Sequence, residues 1–362
     1  MKFKFVLFLA LSLSLLHAES EIRMRGIEDR VAKLEQKGAP KAAHHPITPC
    51  AGPKVRGGRD IHLSADFLFW TARLDGLTYA KTGFGSLVNS PSRGRVQAVD
   101  WSWDPGFKAG LGWSFCHGCW DMLLQYTWFY TNVDDSKKSE SMVPGFQIFT
   151  PEDIPLSILP FQKGSAHFDL HYQVGDLELG RNYYVSKTLK LRPFVGAKGT
   201  WQKQDYNVFL DTIPITTNFF HFKTRIDHSL YGIGIRGGLN TSWQFSKNVS
   251  LYGNMALSGL WVHYNTNRKD TFTQIANGEQ VGTSITTTNI EARLRLIKPV
   301  LEFAMGLRAE TYYGCGRYHV LVQAGWESQI WLNQTLYISL NNNYDRFDLS
   351  LQGLTAKLRL DF

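Results

Sequence analysis

Beyond its first twenty residues the chain has no stretch approaching 18 consecutive apolar residues, so no transmembrane helix is expected in it. Basic residues are plentiful, giving a formal net charge of +8, yet they form no basic run. That excludes the usual nucleic-acid signature. There is no Gly-x-Ser-x-Gly, no His-Glu-x-x-His and no phosphate-cradling glycine loop, so no enzyme is expected. A motif scan is blind to sites assembled from separate strands, as in outer-membrane barrel enzymes. Cysteine is scarce, at four. Cys116 and Cys119 supply two ligands where zinc needs about four, so neither a metal nor a cofactor is expected.

What is present begins with an export signal. Lys2 and Lys4 precede an apolar run from Phe5 to Leu16, too short to span a bilayer, and Ala18 offers a cleavage position. Residues 1–18 are therefore expected to be a signal peptide, and losing Lys2 and Lys4 with it leaves 37 basic against 31 acidic residues, or +6. Residues 19–38 have a different texture. Met24, Ile27, Val31 and Leu34 are spaced 3, 4, 3 among charged residues, a heptad-like helix. Two heptads fit either a short surface or disordered helix or, through residues 22–35, a trimerising coiled coil. Residues 39–59, with Pro40, Pro46, Pro49 and Pro53, read as a linker.

From residue 60 to 362 the period is two. The 23 Phe, 15 Tyr, 11 Trp and 32 Gly sit in a chain of slightly polar mean hydropathy, −0.22. Leu63, Ala65, Phe67 and Phe69 alternate with His62, Ser64, Asp66 and Leu68; Phe107, Ala109, Leu111 and Trp113 alternate with Lys108, Gly110, Gly112 and Ser114. Met122, Leu124, Tyr126, Trp128 and Tyr130 form the apolar face of the next segment. Further strands are expected near 166–184, 188–203, 224–244, 248–264, 290–313, 317–332 and 346–362. Tight turns at 116–119, 185–187, 245–247 and 314–316 interleave with long polar loops near 75–100, 132–165, 204–223 and 265–289. Short turns at one end and long loops at the other predict a transmembrane antiparallel β-barrel of about ten strands, with eight or twelve as the near misses.

A soluble β-sandwich also gives period two. Two features favour the barrel. Trp and Tyr gather toward strand ends on the apolar faces, as in an interfacial girdle. Leu354, Ala356, Leu358, Leu360 and Phe362 alternate with Thr355, Lys357, Arg359 and Asp361, and Leu358, Leu360 and Phe362 read as a signal for the barrel assembly machinery. Together these imply a bacterial outer-membrane location with lipid as the main partner.

Several stretches, in order, resemble the Legionella-type major outer membrane protein family, whose pore-forming members also occur in chlamydia-like bacteria. They are Ala65–Trp70 with Asp75–Ala80, Pro105–Gly112, Asp176–Arg181, Leu191–Gly196, Lys298–Leu301, Gln323–Glu327 and Asp348–Thr355. The resemblance implies an outer-membrane pore and supplies no catalytic residue.

If the apolar parity faces lipid, the opposite parity faces the lumen. Pore-lining candidates are Lys108, Asp121, Lys190, Arg192, Lys198, Arg236, Glu302, Arg308, Glu327 and Arg359, with Asp66, Asn240, Asn254 and Lys357 beside them. Bases outnumber acids in this set. The expected function is a narrow porin-like channel for passive diffusion and ion transport of small polar solutes, weakly anion-preferring. The alternative is a structural or adhesive barrel acting through surface loops and disulfide cross-links. For the cysteines, a Cys116–Cys119 hairpin bridge is the favoured pairing; Cys50 and Cys315 are left to bridge within or between chains.

Overall fold

The computed structural model describes residues 49–57, 60–83, 94–115, 119–146, 148, 161–213, 218–276, 279–338 and 344–362. The expected signal peptide, the heptad-like helix and most of the linker lie outside the described residues.

Thirteen strands follow in chain order: β1 (Ile61–Leu74), β2 (Thr78–Thr82), β3 (Arg95–Ala98), β4 (Asp104–Ser114), β5 (Trp120–Pro144), β6 (Phe161–Arg181), β7 (Tyr183–Tyr184), β8 (Leu189–Thr212), β9 (Asn218–Gln244), β10 (Val249–Ala276), β11 (Glu279–Tyr313), β12 (Tyr318–Ile338) and β13 (Tyr344–Asp361). Ten of them form one antiparallel ring, because β1 pairs with β4 on one side and with β13 on the other. Each of the ten staves is thereby paired on both sides through its inner half, the condition for strands to cross lipid. The β2–β3 hairpin joins the ring through β5, and β7 adds a short rung beside β8.

Tight connections fall at one end, near 115–119, 182–188, 245–248 and 314–317, together with residues 60 and 362. That is the periplasmic end of such barrels. The opposite end is built differently from the expectation. Residues 132–144, 204–212, 265–276 and 279–289 are strand, not loop, so β11 alone runs for 35 residues. At about 3.3 Å per residue the fifteen steps from Trp261 to Ala276 extend roughly 50 Å along the strand, well past the bilayer.

The physical reason is an inversion of polarity along each stave. In the inner half the outward parity is apolar: Phe107, Leu111, Ile233, Ile235, Leu257, Ile297 and Leu301 are all exposed. An outward row at one register level, Trp128, Trp201 and Tyr231, marks the outer girdle. Above it the outward parity turns polar, with Lys203, Asn207, Arg225, Asn267 and Lys269. The inward parity becomes apolar there, and Leu170, Tyr172, Leu230, Val262, Tyr264, Val300, Trp331 and Leu351 are buried. The outer half therefore carries a core like that of a soluble protein, inside the ring. The hairpin helps fill it: Leu77, Tyr79 and Ala80 are buried, Tyr206 Oη donates to the Leu77 carbonyl at 3.1 Å, and Tyr79 Oη donates to Asp135 at 2.9 Å.

Candidate functional site

The inner half of the lumen holds a layered charge network, and each member arrives by strand parity. In the middle layer Lys198 on β8 bridges Asp176 on the neighbouring β6 at 2.8 Å and Glu302 on β11 at 3.0 Å. Arg236 on β9 reaches Glu302 at 2.7 Å and also contacts Glu178. Lys108 on β4 contacts Glu327 on β12 at 2.5 Å, although the two strands are not neighbours in the ring. Such pairs reach across part of the lumen and tie staves two or three places apart in the ring. Buried charges are tolerated only when paired and hydrogen-bonded, and Glu327 meets that condition by also accepting from Thr355 Oγ1 at 3.0 Å and Gln329 Nε2 at 2.9 Å.

Aromatic side chains join this layer to the apolar core above it. Trp70 Nε1 donates to Thr355 Oγ1 at 3.1 Å, and Lys108 lies 5.0 Å from the Trp70 ring centre. Tyr172 Oη donates to Gln329 Oε1 at 2.7 Å, and the Tyr172 ring stands edge-on to Trp331. Trp70, Tyr172 and Trp331 are all fully buried. The lumen is filled at this level.

Below the middle layer lies a vestibule of about 180 Å³, and a smaller cavity of about 100 Å³ sits within the middle layer itself. Lys190, Arg192, Arg308, Lys357 and Arg359 line the vestibule against Asp121 and Glu310. Arg192 binds Asp121 at 2.5 Å and Glu178 at 2.7 Å, Lys190 binds Glu310 at 2.7 Å, and Arg359 binds Asp361 at 2.5 Å. The Arg192 pair depends on Gly180, where a Cβ would come 2.6 Å from the guanidinium. The middle cavity has the opposite balance, Asp66, Asp176, Glu178, Glu302 and Glu327 against Lys108, Arg236 and Lys357.

A strap crosses the mouth of the vestibule. Tyr184 N donates to the Pro49 carbonyl at 3.0 Å, Cys50 bridges with Tyr183, and Arg56 N donates to the Gly316 carbonyl at 2.8 Å in another turn. Ala51, Gly52 and Pro53 line the cavity between these anchors. This placement corrects the cysteine expectation. Cys119 pairs with Cys50, at a Cα separation of 5.5 Å, instead of with Cys116. The strap's rung against β7 brings Cys50 beside the turn that carries Cys119, while Cys315 is free and exposed. Cys50 to Cys315 is thereby excluded, and Cys116 lies outside the described residues.

Of the residues chosen from sequence, Lys108, Lys198, Arg236 and Glu302 meet in the middle layer with Glu327, and Asp121, Lys190, Arg192, Arg308 and Arg359 meet around the vestibule. Four inward acids escaped that choice: Asp176, Glu178, Glu310 and Asp361. Their signal was parity, since Asp176 and Glu178 alternate with Leu177 and Leu179, Glu310 follows Arg308 by two, and Asp361 follows Arg359 by two. With them the inner half carries eight bases (Lys108, Lys190, Arg192, Lys198, Arg236, Arg308, Lys357, Arg359) and eight acids (Asp66, Asp121, Asp176, Glu178, Glu302, Glu310, Glu327, Asp361). The expected excess of positive charge is absent.

Among solved structures, the outer membrane protease OmpT from Escherichia coli is similar at 12% identity and a TM-score of 0.38, covering 86% of this chain and 99% of that one. A Pseudomonas aeruginosa FadL homologue matches at 8% identity and a TM-score of 0.25, over 83% of this chain and 89% of its own. The Pseudomonas putida toluene transporter TodX matches at 10% and 0.28, over 85% and 91%. No curated protein matches the chain. The protease corrects one sequence expectation: a barrel of this kind is no ground for excluding an enzyme. A family model described as the Legionella pneumophila major outer membrane protein precursor matches residues 53–362, most of the chain. With its apolar outer belt and closed ring, the protein is a bacterial outer membrane barrel, and it belongs to the Legionella major outer membrane protein family.

Proposed function

We propose that this protein is a closed structural outer membrane barrel that displays its long outer half at the cell surface and holds no open diffusion path at rest. One observation carries the reading: the lumen above the charge network is packed with Trp70, Phe129, Tyr172, Leu260, Val300 and Trp331, all fully buried. Interiors packed in this way have few voids larger than a water molecule. The exposed Cys315 remains a point for cross-links between molecules.

A second reading, passive diffusion of small polar solutes, is favoured by the two hydrated-size cavities in the inner half, which a purely structural wall does not require. It needs the aromatic layer to part. The anion preference loses its basis, because the sixteen inward charges of that half cancel. Planar-bilayer recording of the purified full chain decides between the readings. The closed barrel gives no porin-scale conductance steps, and steady stepwise conductance in the wild type would sink it.

A further inference from the structure

The vestibule under the strap contains a base that the network leaves uncompensated. Among the described residues, no carboxylate lies within 4.0 Å of Arg308. Its Nε and Nη2 donate to Gln323 Oε1 at 3.3 and 3.1 Å, a neutral partner. Lys357, on the same wall, reaches Asp66 at 3.4 Å. Facing the same space, Asn254 Oδ1 is buried with no hydrogen-bond partner. A half-buried guanidinium without an anion and a buried acceptor without a donor are both costly when left alone. One ligand relieves both if it is an anion that also carries a proton.

We propose that this vestibule binds a small protonated oxyanion of the phosphate class, with Arg308 and Lys357 opposing its charge and Asn254 Oδ1 accepting from its hydroxyl. A guanidinium fork matches two oxygens of a tetrahedral oxyanion, and a bond between ions is shorter and stronger than a neutral one. About 180 Å³ admits such an anion with a few waters. The proposal goes beyond the closed-barrel reading and does not rest on it, since the vestibule opens toward the periplasm whether or not the aromatic layer parts.

The test is titration of inorganic phosphate, and separately sulfate, into the oxidised full chain in detergent, followed by calorimetry. Phosphate should bind saturably, and sulfate, which has no proton at neutral pH, at least tenfold more weakly. Arg308→Gln should weaken phosphate at least tenfold, while Arg295→Gln, on the exposed outer parity, should leave it unchanged. Asn254→Leu is the second arm, with folding of every variant checked by heat-modifiable gel mobility. It keeps roughly the volume, removes the acceptor for the hydroxyl and should bring phosphate down to the affinity of sulfate. Absence of saturable phosphate binding in the wild type overturns the proposal, as does equal affinity for sulfate, or wild-type phosphate affinity in folded Arg308→Gln or Asn254→Leu protein.

Discussion

The two halves of each stave obey the same parity and opposite polarity. On β10, Met255, Leu257 and Trp261 point outward into lipid while Asn254 and Ser258 point in; above the girdle Asn265, Asn267 and Lys269 point outward while Val262, Tyr264 and Phe272 point in. The inner half is held together by paired charges in a place where water is limited, the outer half by hydrophobic burial with water outside. What differs is the solvent, not the sheet. A strand can therefore leave the membrane without a break in its ladder, as the unbroken β9–β10 pairing over both halves shows.

The strongest way to break this contrast is to remove what separates the halves. Trp331→Ala should cost roughly 3–5 kcal/mol of stability by chemical unfolding in detergent. Paired with Trp70→Ala it should create conductance beyond that of the wild type, and a silent double variant would mean the seal lies elsewhere. Next in size is an exchange of outward positions. Met255→Arg in the lipid belt should cost about 2–4 kcal/mol, while Asn267→Arg, on the same parity of the same strand, should stay within about 0.5. Equal costs would erase the inversion.

The smallest effect sharpens the outer half as a watery surface. His167, beyond the girdle, lies 2.6 Å from Asp134 and 2.7 Å from Asp169. Burial alone pulls its pKa down, but the two carboxylates outweigh that and raise it. A raised folded-state value stabilises below the unfolded pKa of about 6.5, and the contribution fades as pH rises through the folded one. With a partly exposed imidazole the effect is modest. An NMR titration of His167 should show a midpoint above the usual histidine value that falls on Asp134→Asn; an unmoved midpoint would remove the pairing.

Sequence periodicity made the ring of staves and the inner lumen legible, because lipid and lumen differ in polarity with period two. It concealed the outer half for the same reason. Once the outward parity turns polar, and Thr266, Arg268 and Asp270 also point inward, 265–276 no longer alternates visibly and reads as loop. Phe272 inside and Lys269 outside were the remaining clue. The acids that cancel the lumen charge were legible by parity alone. The partner of Cys119 was not, since only the strap's rung on β7 brings Cys50 to it across 69 residues.

That disulfide makes a covalent loop of everything between the strap and the start of β5, including β1 and β4. The seam of the barrel is the β1–β13 ladder, where two non-consecutive strands meet. If that ladder unzips, β1 does not become a free end, because it stays tethered to the β5 turn on its far side. On a chain-entropy view, closing a loop of this length is worth about 4 kcal/mol. An opened wall of this protein is thus a hinged door with its latch edge still leashed, and once the bridge has formed, insertion of a foreign strand at the seam would have to proceed against that leash.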